Sequence, residues 1–252
     1  MTEPLDATPA KTHRRSFLAR RTGTDDFGIV LSLLVTVYVL YALSSALWVE
    51  ILVLVLYLFT LGLAVRTSRP MPHQKRFVRI VLVVAAVIAV VALVALPRDI
   101  AEGVLDGVVC VILMTALVVI LDRILRRTAV TVQSLAGALS AYLIIGMFFA
   151  SLFGVMDAFT AGQFFANGEV ANARSFQYFS YTTLTTLGYG DYTAALFPGR
   201  SIATFEALVG QVFLAVLVAR LVAAFHGRSE AIIPPKDDDA PESVPDQAPS
   251  AG

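Results

Sequence analysis

Tyr181-Thr-Thr-Leu-Thr-Thr-Leu-Gly-Tyr-Gly-Asp191 is the polar heart of a chain that is otherwise strongly apolar. The surrounding stretch Ser175–Gly190 holds four threonines, three tyrosines and two serines, carries no charge, and lies between two long apolar runs. It is too polar to face lipid. Irregular polar backbone survives at membrane depth only where protein buries it or water bathes it, so the stretch is read as re-entrant. Gly188 and Gly190 alternate with larger residues. Glycine reaches left-handed backbone angles closed to other residues, which lets successive carbonyl oxygens point the same way instead of alternating as in a strand. Four copies around an axis would stack those oxygens into cages that replace the hydration shell of a weakly hydrated cation, with no charged side chain involved.

Outward from this segment the composition sets the class. Of 252 residues 57% are hydrophobic and 15% charged, with a mean hydropathy of +0.76, which argues against a water-soluble enzyme. Lys+Arg and Asp+Glu both number 19, so net charge gives no reason to expect nucleic-acid binding. A single cysteine, Cys110, excludes an intrachain disulfide and reads as a small buried hydrophobe. Apolar spans are expected near 28–48, 50–66, 79–97, 104–122, 133–155 and 201–224, since a bilayer core takes roughly 20 helical residues. Residues 27–65 as one helix would run about 58 Å, too long for one crossing. The division is therefore placed at Trp48-Val49-Glu50, where an aromatic and a carboxylate suit the headgroup level. The expected fold is all-α integral membrane: six transmembrane helices plus a re-entrant pore helix and filter loop.

Six spans put both termini on one side. Of the 19 basic residues, 16 fall in the segments 1–26, 66–79, 122–127 and from Arg220 onward, leaving Arg98, Arg174 and Arg200 for the opposite side. The positive-inside bias then places both termini in the cytoplasm. No cleavable signal peptide is expected, because the first apolar run follows 26 mostly polar residues and is long enough to span. The expected organisation is a disordered N-terminal tail (1–26), a four-helix membrane domain (27–131), a pore domain (132–225) and a disordered C-terminal tail (226–252). Neither tail is large enough for a ligand-binding domain.

The filter-like motif resembles that of the tetrameric potassium channels, on Thr186-Leu187-Gly188-Tyr189-Gly190 followed by Asp191, with a helix-sized stretch before it and spans on both sides. The resemblance covers roughly residues 132–225, and Glu206-Ala-Leu-Val-Gly-Gln211 is similar to the last span of prokaryotic pore domains. It implies a homotetramer in the plasma membrane, of the bacterial inner-membrane kind, with K⁺ held by the carbonyls of Thr186, Leu187, Gly188 and Tyr189 and the hydroxyl of Thr186. It also implies that residues 174–185 form the pore helix, its C-terminal end turned to a central cavity, and that Asp191 is tied to Tyr178. Two positions depart from the family pattern. Leu187 stands where valine is usual, losing β-branching but keeping the carbonyl. Thr182 stands where some relatives carry a buried glutamate, so that pairing with the filter aspartate does not carry over.

Further candidates keep two readings each. Gly210 is either a gating hinge or a small residue where membrane helices approach closely. Glu206, an intramembrane carboxylate, is a functional candidate by default, or a group hydrogen-bonded behind the pore helix. Gln211 faces the cavity or a neighbouring helix. Asp157 and Glu169 belong to the outer loop, where they concentrate cations or merely solvate it. Phe176, Phe179, Phe213 and the aromatics of Tyr142–Phe153 read as packing. A voltage sensor needs arginines spaced through a span. The fourth span has none, and Arg123, Arg126 and Arg127 follow it as a linker at the headgroups. The expected function is a passive, weakly voltage-dependent K⁺ channel subunit, not an enzyme, with no cofactor, no nucleic acid, and lipid and K⁺ as partners. Its competitors are a non-selective cation channel, a K⁺ transporter subunit and a non-conducting scaffold.

Overall fold

The computed structural model describes residues 27–43, 47–68, 72–126 and 131–230. Among them seven α-helices form: α1 (Phe27–Leu43), α2 (Leu47–Ser68), α3 (Pro72–Ala95), α4 (Arg98–Leu125), α5 (Val132–Phe159), α6 (Ala173–Leu184) and α7 (Phe197–Glu230). Four stretches are long and apolar enough to cross a membrane: Arg76–Ala95, Ile100–Leu125, Val132–Phe159 and Phe197–Ala223. The other two expected spans coincide with shorter apolar helices, Phe27–Leu43 and Ile51–Leu63. At 1.5 Å per residue α1 is about 25 Å long, a little short of a hydrocarbon core.

Three boundaries differ from the sequence reading. Trp48 and Val49 lie in the first turn of α2, so the division falls earlier, between Leu43 and Leu47. A headgroup-level aromatic is as well placed at the start of a helix as between two. At the other end, residues 226–230, expected in the tail, continue α7. No proline interrupts the chain before Pro234, and one glycine, Gly227, is not enough to end the helix. The pore helix begins and ends one residue earlier than expected. The proposed tails at 1–26 and 231–252, and Arg127, lie outside the described residues.

Lipid tails are as apolar as leucine, so membrane helices are held by close packing rather than by expulsion from water. α4 and α5 form an antiparallel pair in which glycines remove the bulk. Gly103 faces Ala158 and Phe159, Gly154 admits the Asp106 carboxylate, and Gly137 seats Ile124 and the Phe27 ring. α1 lies across this pair through Phe27, Val30, Leu34 and Val37, all fully buried, with Tyr57 and Leu61 of α2 in the same cluster. Cys110 is half-buried, its thiol 3.7 Å from the Phe148 carbonyl of α5.

Near the C-terminal end of α4 the polar contacts are specific. Arg220 of α7 donates to the Ile124 carbonyl at 3.2 Å, tying α7 to the last turn of α4. The Arg123 guanidinium lies 5.3 Å from the Phe27 ring centre, and Arg126 pairs with Asp122 at 2.8 Å. The packing yields a direct check. Gly103→Ala drives a methyl into Ala158 and should cost about 1–3 kcal/mol in an unfolding measurement in detergent. Adding Ala158→Gly should recover most of that loss, and failure to recover it would show that these two residues are not in contact.

Candidate functional site

α6 is short, polar and flanked on every side by apolar helices, so each of its polar groups needs a partner inside the protein. Its start is set by a capping box: Asn172 accepts from the Ser175 amide at 3.0 Å, and the Ser175 hydroxyl receives the Asn172 amide at 2.9 Å. The side chains that follow fan outward to different helices. Gln177 donates to the Tyr38 carbonyl of α1 at 3.1 Å. Tyr181 donates to the Leu143 carbonyl of α5 at 2.7 Å, and its ring meets Tyr38 edge-on at 5.0 Å. Ser180 donates to the Gly146 carbonyl at 2.7 Å. The missing side chain of Gly146 makes room for the Tyr181 ring, since a Cβ there would lie 2.6 Å from it.

The outer end is closed by aromatics. Phe153 of α5, Phe164 and Phe165 of the loop, and Phe176 and Phe179 of α6 form one buried cluster. Tyr192 packs on Phe165 at 4.9 Å. Two backbone bonds of 2.8 Å, Ala166 to Thr193 and Ala195 to Phe164, tie the loop before α6 to the strand-like segment after the filter. Arg200 adds a bond from its Nε to the Ala194 carbonyl at 2.9 Å.

After Leu184 the chain turns back through the filter segment. The amides of Thr186 and Gly188 donate to the carbonyls of Thr183 and Thr182, at 2.9 and 3.1 Å, so the segment starts folded against the end of α6. Thr186, Gly188 and Gly190 have φ of +58°, +55° and +80°, while Leu187 and Tyr189 do not enter this region. Left-handed backbone therefore recurs at every second residue. For Thr186 that conformation costs about 1–2 kcal/mol, the kind of strain retained at working sites. All six residues from Thr185 to Gly190 are exposed in the single chain.

Asp191 is held from two sides, by the Tyr178 phenol at 2.8 Å to its Oδ2 and by Asn167 at 2.7 Å to its backbone carbonyl. Tyr178 also stacks parallel to Tyr189, ring centres 6.5 Å apart. The Thr182 hydroxyl turns back to the Phe179 carbonyl at 3.0 Å; what Thr182 offers the filter is its own carbonyl.

α7 closes the site from behind and below. Gln211 donates to the Thr186 hydroxyl at 3.2 Å. Glu206 is fully buried, its Oε1 hydrogen-bonded to Ser180 of the pore helix. Gly210 lies directly against the end of α6, where a Cβ would press into the Leu184 carbonyl and stand 2.9 Å from its Cδ1. α7 runs unbroken through this residue, so the geometry displays the close approach rather than a bend. Asp157 lies at the end of α5 and Glu169 in the outer loop, neither of them at the filter.

The structure thus brings Thr186–Asp191, Tyr178, Thr182, Glu206, Gly210 and Gln211 into one neighbourhood. Sequence reasoning missed Gly146, Gln177, Ser180, Asn167 and Arg200. The three in or against the pore helix carried a usable signal, because a polar or side-chain-free residue among apolar helices has to serve a contact. Asn167 and Arg200 carried none, as they sit in or beside an exposed loop.

Residues 137–226 match a family described as ion channel. The stretch runs from the second turn of α5 through α6 and the filter segment into α7, and it supports an ion channel subunit. Together with the membrane-length apolar helices it indicates a multi-pass membrane protein. Neither the curated proteins nor the solved structures give a significant match.

The contact between α7 and the pore helix generates its own expectation. Gly210→Ala meets backbone rather than a movable side chain, so it should destabilise the folded subunit by about 1–3 kcal/mol in detergent unfolding. An unchanged or raised stability would show that α7 does not approach Leu184 this closely.

Proposed function

We propose that the chain is one of four identical subunits of a potassium-selective channel, crossing the membrane six times with both termini in the cytoplasm and passing K⁺ down its gradient without catalysis. The observation that carries this reading is the left-handed backbone at Thr186, Gly188 and Gly190. Alternation of this kind turns successive carbonyls to one side, and a single row of such oxygens supplies one quarter of a cage able to replace water around K⁺. The carbonyls of Thr186, Leu187, Gly188 and Tyr189 and the Thr186 hydroxyl are the proposed ligands. Tyr178 and Asp191 brace the outer end, while Gln211 holds the Thr186 hydroxyl at the inner end. The exposure of the whole segment in one chain supports the fourfold arrangement, since unpaired carbonyls at membrane depth need partners.

Native mass measurement in detergent should give four chains; a stable conducting dimer would overturn the architecture. Purified protein in liposomes should pass K⁺ in strong preference to Na⁺. In Gly188→Ala and Gly190→Ala no atom of the same subunit lies within 4 Å of the new Cβ, so the expected damage is conformational. Left-handed alanine costs about 1–2 kcal/mol, or about 4–8 kcal/mol across four subunits, enough to displace the carbonyl ring. Retention of K⁺ preference by both variants would reject the filter assignment.

Gating should depend weakly on voltage. One charge crossing 100 mV is worth about 2.3 kcal/mol, and steep sensors use roughly three to four per subunit. Arg123 is engaged over Phe27 at the end of α4, and Arg126 is paired with Asp122. A steep conductance–voltage curve abolished by neutralising these two arginines would overturn this expectation.

A further inference from the structure

Behind the pore helix three helices meet at one serine. Ser180 of α6 is fully buried, and its Oγ contacts two oxygens: the Gly146 carbonyl of α5 at 2.7 Å and Oε1 of Glu206 on α7. A serine hydroxyl has one hydrogen to donate, and a backbone carbonyl has none. If Ser180 gave its hydrogen to a Glu206 carboxylate, two bare oxygens would face each other at 2.7 Å across the Ser180–Gly146 contact. Both contacts are hydrogen bonds only if Glu206 supplies the second proton. The order is then Glu206 O–H to Ser180 Oγ, and Ser180 O–H to the Gly146 carbonyl.

A second observation points the same way. Glu206 is 0% exposed, and its Oε2 is buried without a hydrogen-bond partner. For an ionised carboxylate that would leave a charge-bearing oxygen bare in the membrane interior, whereas for a carboxylic acid it leaves only a neutral carbonyl. The titratable groups facing Glu206 are the phenols of Tyr142 on α5 and Tyr181 on α6. They turn their hydroxyls to the carbonyls of Leu184 and Leu143, and neither is a cation that could offset a carboxylate.

We infer that Glu206 is carried as a neutral carboxylic acid that donates its proton to Ser180, and is thereby the positioning residue that fastens the pore helix to α5 and α7. Glu206 touches no permeating ion. Its effect on conduction, which rests on the channel reading above, passes through Ser180 to the helix that carries the filter. The chemistry required at position 206 is that of a hydrogen-bond donor of glutamate length, not of a negative charge.

Infrared difference spectroscopy of the purified full-length protein at neutral pH, wild type against Glu206→Gln, tests the protonation directly. The expected result is loss of a carbonyl-stretch band of a protonated carboxyl in the variant. Loss of carboxylate bands instead would overturn the proposal. Ser180→Ala, a milder change, should shift the wild-type acid band without removing it, and an unshifted band would reject Ser180 as the partner. In liposomes Glu206→Gln, whose amide can donate to Ser180, should retain K⁺ flux, while Glu206→Leu should lose it. Equal flux from the two variants would reject the positioning role. If wild-type protein passes no K⁺, the channel reading fails while the infrared result still decides the state of Glu206.

Discussion

A polar helix placed at membrane depth has to find all its partners within the protein, and most of this structure can be understood as the answer to that requirement. α6 contributes hydroxyls, an amide and phenols, which reach out in several directions: Gln177 to α1, Ser180 to α5 and α7, Tyr181 to α5, Tyr178 to Asp191. The surrounding helices are placed close enough to receive those groups because they carry small residues where the contacts fall. Gly146 on α5 and Gly210 on α7 are the two clearest cases. Hydrogen bonding and steric allowance are thus one device. The bonds fix where α6 sits, and the glycines permit it to sit there.

The filter segment inherits its shape from this anchoring. Its first amides are bonded to carbonyls at the end of α6, and its last residue is clamped by Tyr178 and Asn167. Between two fixed ends, the backbone takes left-handed angles at alternate positions, two of them glycines and one a threonine. Glycine adopts that geometry without penalty, while Thr186 requires external support, which Gln211 supplies through the hydroxyl. Strain at the inner end of the segment is therefore matched by a side-chain contact from α7.

Much of the fold was legible in the sequence because hydrophobic run length and helix length are tied by the thickness of a bilayer. α3, α4, α5 and α7 lie where uncharged runs predict them, and the polar stretch before the glycines is helical. The GYG spacing located two of the three left-handed positions, since glycine displays that freedom openly, whereas Thr186 does not. Element ends were less legible. α2 starts ahead of Trp48 and α7 continues past residue 225, because helix termini answer to local capping and to solvent rather than to the apolar pattern. A hydrogen bond from Glu206 to the helix in front of it was one of the two readings of that residue, but its meeting with Ser180 and Gly146 could not be read. These residues are 34 and 26 positions from one another along the chain, and only the packing of three helices makes them neighbours.

The hydrogen bonds of α6 tie it to α1, α5 and α7, and the bond from Gln177 to α1 bridges 139 positions of sequence. The seat of α6 therefore draws on helices far apart in the sequence, and α7 is the one that brings Glu206 against Ser180. A chain truncated before α7 would be expected to leave the pore helix exposed to lipid with a buried serine half-satisfied, a state that membrane quality control can distinguish from the complete subunit.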